Sequence, residues 1–167
     1  QNIEFKNLKV SNSTISGTAH AGAAYAYATG YNGGDALNAV TISINGFDMN
    51  AVTVSTQGYA GALMGAMSDY SGDFTDCVKV LVEGHTFTNV TVTSTQENGA
   101  GKVVGIIGFS DGTLNDSAPT SWETDVTATA NGQNIIRCYG RTGWQGSVGC
   151  SFRFEAAYTL TYADGVH

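Results

Sequence analysis

Hydrophobic and polar residues alternate at period two over short stretches, and these stretches recur along the chain. Val40, Ile42 and Ile44 alternate with Thr41 and Ser43, and Val78, Val80 and Val82 are spaced in the same way before a glycine at Gly46 and Gly84. Phe87-Thr-Asn-Val-Thr-Val92 echoes Phe5-Lys-Asn-Leu-Lys-Val10, and Asn50-Ala-Val-Thr-Val54 reads as a variant one residue longer. A small-residue segment also returns. His20-Ala-Gly-Ala-Ala-Tyr matches Tyr59-Ala-Gly-Ala-Leu-Met and Gly99-Ala-Gly-Lys-Val-Val, which sets Gly22, Gly61 and Gly101 at intervals of 39 and 40. The pattern predicts a unit of three short strands and three turns, about 39 residues long and used about two and a half times over residues 1–117.

Three strands per repeat with small residues at the corners is the plan of a right-handed β-solenoid, here of about three coils, in which each copy buries its apolar face against the next. A β-sandwich built from the same strands is the alternative, because alternation does not say which strand pairs with which. The predicted inward positions are Val40, Ile42, Ile44, Val52, Val54, Leu63, Val78, Val80, Val82, Val90, Val92, Val103 and Ile106. Pro119 marks the end of the period, since proline cannot donate to a ladder. Residues 118–167 form a second, non-repetitive region with strand candidates at 126–130, 135–139, 152–158 and 158–162, predicted to pack on the repeats as a small β capping region.

Composition narrows the class. Charged residues are 13 % of the chain, hydrophobic ones 42 %, and proline occurs once, which suits strands and tight turns and excludes a disordered chain. A net charge of −7 with seven basic residues leaves no basic stripe for a nucleic-acid backbone or an anionic membrane surface. No apolar run reaches the length needed to insert in a membrane.

The segments Tyr59-Ala-Gly-Ala-Leu-Met-Gly-Ala66 and Ala100-Gly-Lys-Val-Val-Gly-Ile-Ile-Gly108 resemble the GLUG-type repeats of bacterial surface proteins over residues 1–117. That resemblance implies a secreted, adhesin-like protein with a β-helical stalk. The first copy departs from it, with tyrosines and alanines from Ala24 to Ala28 where a second glycine is expected.

The expected function is that of a non-catalytic extracellular, cell-surface protein, an adhesin stalk or filament subunit that needs no cofactor. It would self-associate through exposed terminal strands, or continue a longer parent chain. The strand Ile3–Val10 enters with no polar cap, which motivates that expectation. The carbohydrate-binding alternative rests on Trp144, Tyr139, Arg141 and Trp122 in the aromatic C-terminal region, against a packing role for the same aromatics. The enzyme alternative is a polysaccharide lyase or glycosidase, with Asp73 or Asp76 as the residues to test.

Asp69, Asp73 and Asp76 also make the weak calcium alternative, although their recurrence with the period reads as turn chemistry. His20, His85 and His167 are the three imidazoles; no GxSxG accompanies them, and His20 aligns with Tyr59 and Gly99. Cys138 and Cys150 bracket a loop that a disulfide could close, while Cys77 reads as a buried thiol. Asn12, Asn89 and Asn115 stand in sequons for glycosylation. Thr-x-Thr pairs at Thr91/Thr93, Thr127/Thr129 and Thr159/Thr161 raise an ice-binding face, but Thr41 and Ser43 meet Lys79 in the matching row, and that interruption counts against it.

Overall fold

The computed structural model describes residues 2–30, 40–69, 78–83, 86–107, 126–135, 139–142 and 150–155. Every regular element among them is a strand: β1 (Asn2–Gly17), β2 (His20–Ala21), β3 (Tyr25–Gly30), β4 (Val40–Thr56), β5 (Tyr59–Ala60), β6 (Met64–Asp69), β7 (Val78–Glu83), β8 (Thr86–Ser94), β9 (Val104–Ile107), β10 (Val126–Ala130), β11 (Gln133–Ile135), β12 (Tyr139–Thr142) and β13 (Cys150–Glu155). The protein is all-β over this part of the chain.

Repeats pair with repeats. β1 lies parallel to β4 at a constant offset of one repeat, from Asn2↔Thr41 to Gly17↔Thr56. On its other edge β4 pairs with β7 (Val40↔Val78) and β8 (Val52↔Val90), both parallel and both one repeat further on. The small-residue segments do the same: β2 with β5, β3 with β6, and β6 with β9. Every ladder among the described residues is parallel except the hairpin β10–β11.

The two long strands are not straight. Asn7 (φ 53) and Gly46 (φ 73) occupy one register position, and Asn12 (φ 48), Ala51 (φ 53) and Asn89 (φ 51) another. All are in the left-handed region, where Asn and Gly are tolerated and alanine is strained. Each such corner adds one residue and so restarts the in-out alternation. Burial therefore runs Ile42, Ile44, then Phe47, Met49, then Val52, Val54, one buried pair for each straight segment.

That change of phase corrects one sequence alignment. Phe87 pairs with Met49, which in turn pairs with Val10, whereas Phe5 pairs with Ile44. The echo between Phe5–Val10 and Phe87–Val92 is therefore displaced by one corner. Of the predicted inward residues, Ile42, Ile44, Val52, Val54, Leu63, Val90, Val92, Val103 and Ile106 are buried. Phe47, Met49 and Phe87 join them at the centre of the core. The side chains of Val40, Val78, Val80 and Val82 lie outside the description.

The glycines mark where neighbouring backbones touch. A methyl on Gly61 would lie 2.3 Å from the Met64 carbonyl oxygen, 2.4 Å from that of Val103 and 2.6 Å from Val104 Cα. One on Gly65 would meet Ala21 N and Ala26 O of the preceding repeat at 2.6 Å each. Ala26, the counterpart of Gly65 in the first copy, is exposed, with no described repeat packed outside it. That is why the first copy tolerates an alanine there.

Beyond the period, β10 pairs with β8, β12 with β9, and β13 with β7, all parallel. Cys150 stands in register with Val78, so the strand completing the β7 edge comes from late in the chain. The candidate strand 126–130 matches β10; 135–139 spans the end of β11 and the start of β12, and 152–158 overlaps β13. Residues 158–162 lie outside the description.

Candidate functional site

Between the corner at Asn12, Ala51 and Asn89 and the turn that follows Thr56, four straight segments lie side by side: 13–17, 52–56, 90–94 and 126–130. Val52, Val54, Val90, Val92, Val126, Ala128 and Ala130 point into the core. The alternate residues face out, and the register stacks them in two columns. Thr14, Thr53, Thr91 and Thr127 form one; Ser16, Ser55, Thr93 and Thr129 form the other. All eight are exposed or half-exposed.

This corrects the Thr-row reading. The row interrupted by Lys79 contains Thr41 and belongs to a different face, two corners earlier in the strand. Thr91 and Thr93 continue from Thr53 and Ser55 without interruption; Thr159 and Thr161 lie outside the description. The sequence signal was the common spacing of 14/16, 53/55, 91/93 and 127/129, which becomes visible once the corner residues are assigned.

At the turn end of this face is an open cavity of about 280 Å³, lined among others by Ser16, Ser55, Thr56, Gln57 and Thr95. Three of the hydroxyls around it are already used by the fold. Thr56 Oγ1 accepts from Gly58 N at 3.2 Å, Ser94 Oγ donates to Gly58 O, and Thr95 Oγ1 donates to Gln57 O at 3.4 Å. The outward hydroxyls of the two columns make no hydrogen bond to the protein among the described residues.

A second surface feature is an aromatic stack. The His20 ring lies 5.2 Å from Tyr27 and 5.7 Å from Tyr59, with interplanar angles of 16° and 12°. Burial lowers the His20 pKa from its ordinary value, and Nδ1 is enclosed without a hydrogen-bond partner. Nearby, Tyr25 packs edge-on against Phe5 at 5.2 Å with its hydroxyl enclosed and unpaired. No group of three or more His, Cys, Asp or Glu able to hold a metal occurs among the described residues.

The remaining sequence candidates fall partly within the described residues and partly outside them. Tyr139 and Arg141 lie in β12, in register with Val104 and Ile106; Trp122 and Trp144, the other two residues of the aromatic ligand face, lie outside the described residues. Asp69 ends β6, and Asp73 and Asp76 lie outside. Cys150 opens β13 beside Val78, and Cys138, Cys77, His85 and His167 lie outside. Asn12 and Asn89 sit exposed at corners, and Asn115 lies outside. Set against protein-family models, curated proteins and solved structures, the chain has no significant match in any of the three.

Proposed function

We propose that the chain is a section of a right-handed β-solenoid, similar to the GLUG-type stalks of bacterial surface proteins, acting outside the cell by assembly rather than catalysis. Parallel ladders that join each repeat to the next support stacked coils over a sandwich of hairpins. Right-handed crossovers are the rule for such connections.

The observation that carries the assembly is the state of β1. Among the described residues it pairs on one edge only, with β4. Phe5, Leu8, Val10 and Ile15 are only partly buried, whereas their ladder partners Ile44, Phe47, Met49 and Val54 are 0–1 % exposed. An open edge with apolar side chains recruits another strand. That strand belongs to a second copy in a filament, or to a further coil of the parent chain in a stalk. Light scattering over a concentration series tests the filament form. Mass should grow with concentration and revert to one chain with Leu8→Glu. A single-chain mass throughout would contradict it.

A further inference from the structure

The two hydroxyl columns form a grid, and its dimensions follow from the sheet. Parallel strands repeat about every 4.8 Å across the ladder, and alternate residues recur about every 6.6 Å along a strand. Eight hydroxyls in four rows of two therefore lie at fixed intervals in both directions. Ser and Thr make up about a fifth of the chain, so filling all eight outward positions of one face is not a consequence of composition.

The surroundings are equally selective. Residues 11–18, 50–57, 88–95 and 126–131, which contain the face and its borders, include no Asp, Glu, Lys, Arg or His, in a protein of net charge −7. The two earlier faces differ: Glu4 pairs with Lys6 at 2.9 Å and Lys9 with Asp48 at 3.6 Å. No aromatic ring lies on the grid to stack on a sugar, and no charge on it selects a peptide or a phosphate. Six of the eight residues are Thr, whose branched side chain is stiff about χ1 and carries a methyl group beside the hydroxyl. The buried Val and Ala beneath hold the rows in place.

We propose that this face binds ice, through the juxtaposed columns Thr14–Thr53–Thr91–Thr127 and Ser16–Ser55–Thr93–Thr129. A ligand that engages all eight groups must itself repeat in two directions, with hydrogen-bonding partners at short intervals and no charge. The surface of crystalline water has those properties. Hydroxyls not spent within the fold replace lattice contacts, and the ordered methyls disfavour disordered water between them. A charged side chain in the grid would hold its own hydration shell and lift the lattice away. This inference requires the ladder register and not the assembly proposed above, so a strictly single-chain mass leaves it standing.

The test is ice growth in solutions of the whole chain, read as thermal hysteresis and crystal habit, with far-UV circular dichroism to confirm that each variant folds. The native chain should hold faceted crystals over a temperature gap that widens with concentration. Thr91→Lys and Thr14→Lys, at a central and an edge position of the grid, should each abolish the gap. Ser43→Lys, on a separate face two corners earlier, should leave it unchanged, and Ser55→Thr should widen it. Rounded crystals growing freely at the melting point in the native chain would overturn the proposal. So would a full gap in either folded lysine variant on the grid.

Discussion

Gly61→Ala adds one methyl group at a place where two repeats meet. The new carbon would lie 2.3 Å from Met64 O, 2.4 Å from Val103 O and 2.6 Å from Val104 Cα, and all three are backbone atoms. No rotamer change relieves the contact, so β6 and the residues leading into β9 must separate along the ladder that joins them. Overpacking of this kind costs about 1–3 kcal/mol, and the absence of a movable side chain places this case at or above the upper end. A domain of this size has about 5–15 kcal/mol in total, so the loss is a large share.

Gly132→Ala is the matched control, the same chemical change at an exposed turn with φ +74° and nothing within 4 Å. Its cost is the left-handed backbone alone, about 1–2 kcal/mol. Urea unfolding followed by far-UV circular dichroism measures both. With slopes of about 1–3 kcal/mol/M, Gly61→Ala should lower the midpoint by about 1 M or more, and by more than Gly132→Ala does. Equal midpoints for the two variants would refute the close approach of the repeats.

Three further outcomes follow from single residues. Ala51→Asn should stabilise the fold by about 1 kcal/mol in the same urea assay, because Asn12 and Asn89 already hold that corner at φ 48 and 51 while alanine is strained there. Tyr25→Phe removes an enclosed hydroxyl that has no partner and should raise stability by about 1–3 kcal/mol, read as a higher midpoint with an unchanged slope. His20 has its pKa lowered by burial, so the folded state binds its proton less readily than the unfolded chain. Its contribution is complete above the unfolded value of about 6.5 and is lost as pH falls through the lower folded value. Midpoints measured across that window should therefore fall with pH less steeply in His20→Gln than in the native chain.

The period was readable because glycine and alanine recur where backbones touch, as at Gly22 and Gly61. Period-two alternation placed Ile42, Ile44, Val52 and Val54 inside correctly. It failed between them, because one left-handed residue shifts the phase, and Ala51 carries no chemical sign of that conformation. Phe47 and Met49 were missed for this reason, and Thr91 was matched to the row of Lys79 and not to Thr53. The surface grid depends on register across repeats, so no single stretch of sequence displays it. The placement of β13 beside β7 was also illegible, since the pairing joins distant parts of the chain with no matching motif.

Cross-strand amide contacts in a uniformly labelled sample, measured by nuclear magnetic resonance, test the register directly. Contacts are expected between the ladder neighbours Thr14 and Thr53, Thr53 and Thr91, and Thr91 and Thr127, all in parallel geometry. Antiparallel contacts within one repeat, joining the Val40–Ile44 stretch to Val52–Val54 as a hairpin, would contradict it.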